Sequence, residues 1–370
     1  MSNFAFDWYM LQQPELVASP ALLVSPEVVR DNIRKLIGMA GSAEKLRPHV
    51  KTCKAAEPIK LMISEGIRQF KCATIAEAEL LATCGASDIL LAYPLTGPAI
   101  SRFLRLRDEF PESDFSCLVD NSAGALSLNE AVRTGNPVPV WIDLNVGMNR
   151  TGILPSHARA LYDEINAMQS LQFRGLHAYD GHIHQDWLGE RQEALATAFA
   201  PVWELRATLE MLEGAPVKLV AGGTPSFPYH LQHNHVECSP GTFVYWDRGY
   251  EGFQEQPFQQ AAVLLCRIVS LPAENRICVD LGHKAVAAEN ELSRRVTFLN
   301  AADLRPVSQS EEHLVLEINP GHGYQVGDVL YGVPYHICPT VALHESAVCV
   351  HEGIPAGEWL TVARKRKISI

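Results

Sequence analysis

The chain has 370 residues, 47% of them hydrophobic, and a formal net charge of −11 from 31 lysines and arginines against 42 aspartates and glutamates. This length exceeds what most single cores hold and predicts one large domain with a smaller one, or two of similar size. An acidic balance without a basic block excludes nucleic acid and anionic membrane as general partners and leaves only a small anion in a local basic pocket.

The opening "MSNFAFDWYMLQQPEL" has neither a basic start nor an uninterrupted apolar stretch, and no later segment reaches the roughly 18 apolar residues of a membrane span, so neither a signal peptide nor a span is expected. Nine scattered cysteines without a CxxC pair predict reduced thiols and a cytoplasmic protein.

From residue 27 the elements alternate. An amphipathic helix (27–40) leads to an extended "KLRPHVK" (45–51), a helix (55–66), "FKCAT" (70–74), a helix (75–84) and "DILLAYP" (88–94). Then come "FSCLVD" (115–120), "VPVWIDLNV" (138–146), "LQFRGLHAY" (171–179), "VKLVAGGT" (217–224) and "HVECSPGTFV" (235–244), mostly separated by stretches of helical spacing. These strands are nearly continuously apolar, as in a parallel sheet buried on both faces. Eight such units predict a (β/α)8 TIM-type barrel over residues 20–252, with a doubly wound sheet as the competing architecture.

After about 255 the pattern becomes short strands and turns with almost no helical periodicity, from "AAVLLCRIVSL" to "WLTVARKRKISI". This predicts a smaller, mostly antiparallel all-β domain of residues 253–370, joined by residues 1–19, of which the first dozen would add a strand.

In a parallel barrel, chemistry gathers where strands end. The residues there are Lys51 with His49 and Arg47; Thr74; Tyr93; Asp120; Asn145 to Arg150; Tyr179, His182 and His184; Gly222, Gly223 and Thr224; and Ser239, Gly241 and Thr242. A strand-end lysine desolvated near other cations would hold a free amine able to form a Schiff base, although by position alone Lys51 reads as a surface lysine. "AGGTPSF" (221–227) would let backbone N–H groups approach a phosphate, although Gly-Gly by itself more often only turns the chain. Together the two features suit pyridoxal phosphate, whose aldehyde and phosphate lie at opposite ends.

With these segments the sequence resembles the fold-type III pyridoxal-phosphate enzymes, the alanine-racemase-like barrels, and within them the D-threonine aldolase and D-serine dehydratase branch, over nearly the whole chain. The resemblance of "RPHVKT" implies Lys51 as the covalent anchor, with Cys53 where the family commonly has histidine. "DLNVGMNRTG" (143–152) implies Arg150 at the cofactor phenolate, and "GLHAYDGHIHQ" (175–185) implies Tyr179 beside the ring with His182 or His184 reaching toward the substrate hydroxyl. "GGTP" implies Gly222, Gly223 and Thr224 as the phosphate loop, with further donors from Gly241 and Thr242. Alanine racemases carry an arginine facing the pyridine nitrogen where this chain has Cys238 and Ser239, which disfavours racemisation relative to elimination or retro-aldol cleavage.

"GVPYHICPT" (332–340) resembles the segment that binds a divalent metal in this branch, implying His336 and Cys338. Alternation along a strand would put the two on one face, and a thiolate ligand suits zinc better than manganese or magnesium. Without the resemblance, a lone HxC reads as core packing.

The resemblance therefore implies a homodimeric lyase, dependent on pyridoxal phosphate and a divalent metal, that cleaves D-3-hydroxy amino acids as a D-threonine aldolase does. A D-serine or 3-hydroxy-D-aspartate dehydratase is the alternative, drawn by Cys338. A non-catalytic pyridoxal-phosphate-binding protein, which would not need residues 255–370, and a metal-free racemase or decarboxylase are the further ones.

Overall fold

The computed structural model describes residues 7–132 and 136–370. The first six residues, half of the segment expected to add a strand, lie outside the described residues, and residues 7–12 are turns and bends. The chain divides into two compact units: residues 34–51, 59–241 and 365–370 in one, and residues up to 33, 52–58 and 242–364 in the other. It opens with β1 (Ala21–Val24) and α1 (Pro26–Ala40).

The first unit is a parallel sheet in strict sequence order: β2 (Gln69–Cys72), β3 (Asp88–Pro94), β4 (Asp114–Val119), β5 (Val138–Leu144), β6 (Leu171–Ala178), β7 (Lys218–Ala221) and β8 (Val236–Cys238). The helices between them are α2 (Ala56–Ser64), which precedes β2, then α3 (Ile75–Thr83), α4 (Pro98–Glu109), α5 (Ser122–Ala131), α6 (Pro155–Ala167), α7 (Leu188–Glu213) and the short α8 (Phe227–His230). Seven strands are paired where the sequence predicted eight. The place of the first is taken by residues 46–50, an irregular stave bridged to β8 through Leu46 and Cys238 and to β2 through His49 and Lys71. Pro48 has no N–H to give to a ladder, so this segment closes the barrel through isolated bridges.

The barrel interior is filled by Leu90, Leu118, Trp141 and Val220, each apolar side chain worth about 1.5–3 kcal/mol when fully buried. Trp141 is accommodated by Gly175 on the neighbouring strand, where a β-carbon would stand 2.7 Å from the indole.

Arg47 is fully buried in this unit. Its guanidinium donates to both Asp88 oxygens at 2.7 and 2.9 Å and to Glu237 at 2.6 Å, and lies 5.6 Å from the Trp141 ring. Burial alone would raise the Asp88 carboxyl, yet Arg47 holds it below its ordinary value. Arg47 stands in the sequence among the strand-end residues beside Lys51, where chemistry is expected to gather. It is instead spent on carboxylates from the first residue of β3 and the middle of β8.

The second unit is an open sheet built around β9 (Ala262–Ala273), with β10 (Arg276–Val279), β11 (Val296–Phe298), β12 (Arg305–Gln309), β13 (Leu314–Glu317), β14 (Val329–Pro334), β15 (Ser346–His351) and β16 (Ile354–Leu360). The order is β12-β13-β10-β9-β1-β15-β16, with β14 also on β9 and β11 on β14; only β1 and β15 run parallel. Leu11, Val17, Leu23, Val263, Leu265 and Tyr331 form its core.

Two expectations for this region are corrected. It contains a helix, α9 (Ile337–Leu343), within a stretch read as all-β. The last strand also falls earlier than "WLTVARKRKISI", because residues 361–370 form a 3-10 turn and a tail. That tail is held by α3 and α4 of the barrel unit: the Ser369 N–H donates to Glu79 at 2.8 Å and Arg102 donates to the Ile370 carbonyl at 2.7 Å.

Candidate active site

The barrel unit gathers charge around one aromatic ring. Tyr179 directly follows β6, and its ring is approached by Lys51 Nζ at 5.6 Å, Lys71 Nζ at 5.6 Å and the Arg150 guanidinium carbon at 4.9 Å from the centroid. Lys51 ends the irregular stave, where its own N–H donates to His49 Nδ1 at 3.3 Å.

Arg150 sits on the loop after β5, which is shaped by side chains. Asn145 Oδ1 accepts from the N–H groups of Gly147 and Asn149 at 3.0 and 3.1 Å, and Asp120 Oδ2 accepts from Gly152 at 3.0 Å. Gly147 has a φ of +115°, and a β-carbon there would stand 2.7 Å from His182 Nε2. His182 therefore lies against the loop that carries Arg150. His184 is exposed two residues further on.

Behind the tyrosine lies the loop after β7. Gly222 has a φ of +77°, and a β-carbon on it would come 2.9 Å from the Phe227 backbone; one on Gly223 would stand 3.4 Å from the Tyr179 ring. Buried Asp180 orients this turn, receiving the Gly223 N–H at 3.5 Å and His230 Nε2 at 2.8 Å. The Gly241 N–H donates to Thr224 Oγ1 at 3.2 Å, and buried Ser239 Oγ has no hydrogen-bond partner among the described residues. A buried hydroxyl without a partner among the described residues, near a Gly222 that a side chain could not replace and with two lysines and an arginine over the adjacent ring, fits a bound phosphorylated anion.

Three interior residues at this end escaped the reading of strand ends: Lys71 on β2, Asp143 on β5 and His177 on β6. All are buried. His177 Nδ1 meets Asp143 Oδ1 at 2.7 Å, and Thr151 donates to Asp143 Oδ2 at 2.9 Å. Burial, reinforced by the neighbouring Lys51 charge, pushes the Lys71 ammonium down to about 7. A lysine, an aspartate and a histidine within mostly apolar strands were the available signal.

Thr74 is a helix cap. Its Oγ1 accepts from the Glu77 N–H at 3.1 Å while the Glu77 carboxylate reaches back past the cap to accept from the Ala73 N–H at 2.7 Å. Tyr93 is largely exposed.

In the other unit His336 and Cys338 come together by a different route from the one expected. β14 stops at Pro334, His336 is the extended residue that caps α9, and Cys338 lies in the first turn. The change from extended to helical backbone brings the side chains together, not alternation along a strand. They share a hydrogen bond, and Glu289 Oε1 lies 2.6 Å from His336 Nδ1. Burial would lower the imidazole, but the Cys338 and Glu289 side chains raise it to about 9.

Cys338 Sγ lies 3.0 Å from Thr52 Oγ1 and 3.8 Å from Thr242 Oγ1, so Thr242, expected among the phosphate donors, has its hydroxyl beside the thiol. Among the described residues no group of three or more His, Cys, Asp or Glu could hold a metal ion. The imidazole and thiol are a donor pair of the type that zinc accepts.

A barrel of this strand order with an amine, a guanidinium and a glycine turn around one tyrosine defines the alanine-racemase class of architecture, and the family comparison agrees. Residues 24–248, more than half of the chain, match the alanine racemase N-terminal domain, and the chain belongs to that family; residues 261–350 match a putative serine dehydratase domain.

Among individual proteins, the chain is 26% identical to a D-threonine aldolase from Arthrobacter sp., over 94% of this chain and 93% of that one. The crystal structure of D-threonine aldolase from Filomicrobium marinum has the same fold, with a TM-score of 0.85 at 23% identity, covering 94% and 96% of the two chains. So does D-threo-3-hydroxyaspartate dehydratase from Delftia sp. HT23, with a TM-score of 0.77 at 20% identity, covering 93% and 97%. No helix among the described residues is long and apolar enough to cross a membrane.

Proposed function

We propose that the chain is a lyase of D-3-hydroxy amino acids that uses pyridoxal phosphate and a divalent metal and releases glycine and an aldehyde by retro-aldol cleavage. The observation that carries this reading is the convergence of Lys51, Lys71 and Arg150 on the Tyr179 ring. Burial and the Lys51 charge push the Lys71 ammonium down to about 7, and an anion bound among Lys51, Lys71 and Arg150 would relieve their mutual repulsion.

Lys51 would anchor the cofactor at its aldehyde, Arg150 and Tyr179 would lie beside it, and Gly222, Gly223, Thr224, Gly241 and Thr242 would hold its phosphate. When bound, the cofactor supplies the sink for the electrons left at Cα. His336 and Cys338 would hold a divalent ion, zinc by the softness of the thiolate, and the ion would supply Lewis-acid chemistry toward the substrate hydroxyl. His182, seated against Gly147, takes the hydroxyl proton on its ring nitrogen, while His184 is the less constrained alternative. The Arthrobacter relative supports the aldolase outcome.

Cys338 favours a second reading, dehydration with release of ammonia and a keto acid. Solved structures of D-threo-3-hydroxyaspartate dehydratase include a histidine-to-alanine mutant and, two positions later, a cysteine-to-alanine mutant in the metal-free form. That spacing equals the one between His336 and Cys338.

Incubation of the cofactor-loaded protein with D-threonine, D-serine and D-threo-3-hydroxyaspartate decides between them. Glycine with an aldehyde supports the aldolase, ammonia with a keto acid the dehydratase, and no product from any of the three counts against both. Sedimentation of the same sample tests the homodimer that the family resemblance implies.

A further inference from the structure

Lys71 stands apart from the residues assigned so far. Its backbone is pinned on both sides to the stave that carries Lys51: the Lys71 N–H donates to the Pro48 carbonyl at 2.9 Å, and the Val50 N–H donates to the Lys71 carbonyl at 3.0 Å. Its side chain is 4% exposed, and its Nζ is as far from the Tyr179 centroid as Lys51 Nζ, 5.6 Å. Two amines on separate strands therefore address one ring.

On β5 and β6, three and four strands along the sheet from β2, lies the Asp143–His177 pair. Asp143 accepts from Thr151 on one oxygen and meets His177 Nδ1 on the other, which places the imidazole proton on Nδ1 and leaves a lone pair on Nε2. That nitrogen is buried and has no partner among the described residues. Charge on Lys71 is felt by both members of the pair. His177 and Tyr179 are two residues apart at the end of β6 and so share its inner face.

The geometry points to Lys71 as a second acid–base amine of the site, which gives a proton to the substrate α-carbon and is held in place for that by the Asp143–His177 pair. The step rests on the lyase reading and deepens it. As the Cα–Cβ bond breaks, its electron pair stays with Cα. One N–H bond of the Lys71 ammonium breaks and a C–H bond forms, leaving Lys71 a neutral amine. His182 takes the proton that the β-hydroxyl loses on becoming a carbonyl and passes it to solvent, from which Lys71 regains its own, so one proton leaves and one arrives. An amine suits this exchange because Lys51, Arg150, Asp143, Asp180, His177 and the Tyr179 ring surround it, and burial with the Lys51 charge brings its titration to about 7.

The test has two arms. In cofactor-loaded protein in D2O, proton NMR follows exchange at the α-carbon of glycine, and borohydride reduction with peptide mass spectrometry reports whether the cofactor is still fixed on Lys51. Lys71→Met and Lys71→Arg should both slow the exchange by about 10²–10⁴-fold with the Lys51 adduct retained; arginine keeps the charge but does not give up its proton. Exchange within threefold of the unmodified protein in either variant, or loss of the adduct in both, would overturn the assignment.

The second arm needs no cofactor and so separates this inference from the lyase reading. Cyanate labelling of the purified protein across pH, read by peptide mass spectrometry, should find Lys71 half-reactive near neutrality and His177→Gln should shift that midpoint. Reactivity that rises only together with that of exposed Lys60, or a midpoint unmoved by His177→Gln, would refute it.

Discussion

The Tyr179 ring occupies the place where a β-carbon on Gly181 would stand, 2.4 Å from three of its atoms. Any side chain at Gly181 must therefore displace the ring on which Lys51, Lys71 and Arg150 converge. Gly181→Ala is expected to cost about 1–3 kcal/mol of stability, in the manner of overpacking, and to weaken cofactor binding by at least about tenfold, since tenfold is only ~1.4 kcal/mol. Urea unfolding and titration with pyridoxal phosphate measure the two effects.

Lys51→Ala is expected to leave no borohydride-fixed cofactor on the peptide that spans residues 46–60 and to lower turnover by about 10²–10⁴-fold or more. Full turnover by this variant would remove Lys51 from the role of anchor.

His336→Ala and Cys338→Ala are expected to keep the fixed cofactor while losing bound metal, read by elemental analysis, and losing turnover. Chelation of the unmodified protein should reproduce the loss and added zinc should reverse it. Turnover that survives exhaustive chelation rules out a metal role.

Arg47→Met removes the buried member of the network and leaves Glu237 with only Lys218 at 2.9 Å and half-buried Asp88 with only Arg174 at 3.6 Å. Removing one member of a buried ion pair costs about 3–5 kcal/mol, so the urea midpoint should fall sharply. A midpoint within error of the unmodified protein would show that the network contributes nothing to stability.

Stability should also decline in acid. Asp88, Asp143 and Asp180 are each held below the ordinary aspartate value of 3.8, burial opposing and Arg47, His177 and His230 respectively prevailing. A group depressed in the folded state contributes its stability in full above the unfolded value and loses it as pH falls through the folded value. Burial depresses His177 as well, with Lys71 adding to it, which works in the same direction below about 6.5. Urea midpoints measured between pH 7 and pH 3 should therefore drop steadily, and a flat profile would contradict the buried pairs.

Much of the barrel was legible because seven of its strands are apolar runs bounded by helices, a pattern that period and length alone expose. The stave at 46–50 was not separable from a strand in sequence, since Pro48 breaks only the ladder and leaves the extended path. α9 was hidden because it is seven residues long, too short for a periodicity to show, and only Tyr335 and His336 separate it from β14. Within the candidate site, Lys51, Arg150 and Tyr179 could be chosen from strand ends and family motifs. Lys71, Asp143 and His177 could not, because they precede those ends and their partners lie on other strands.

Arg47 and Lys51 are four residues apart on a segment with no continuous ladder. Each residue of extended chain advances about 3.3 Å, so the guanidinium, clamped by carboxylates on β3 and β8, fixes how far along the barrel wall the amine stands. Slippage of that segment by one position would turn the lysine to the outer side and tear the arginine from both anchors. The stave is thus indexed by charge, and the height of the reactive nitrogen is decided at the opposite end of the barrel.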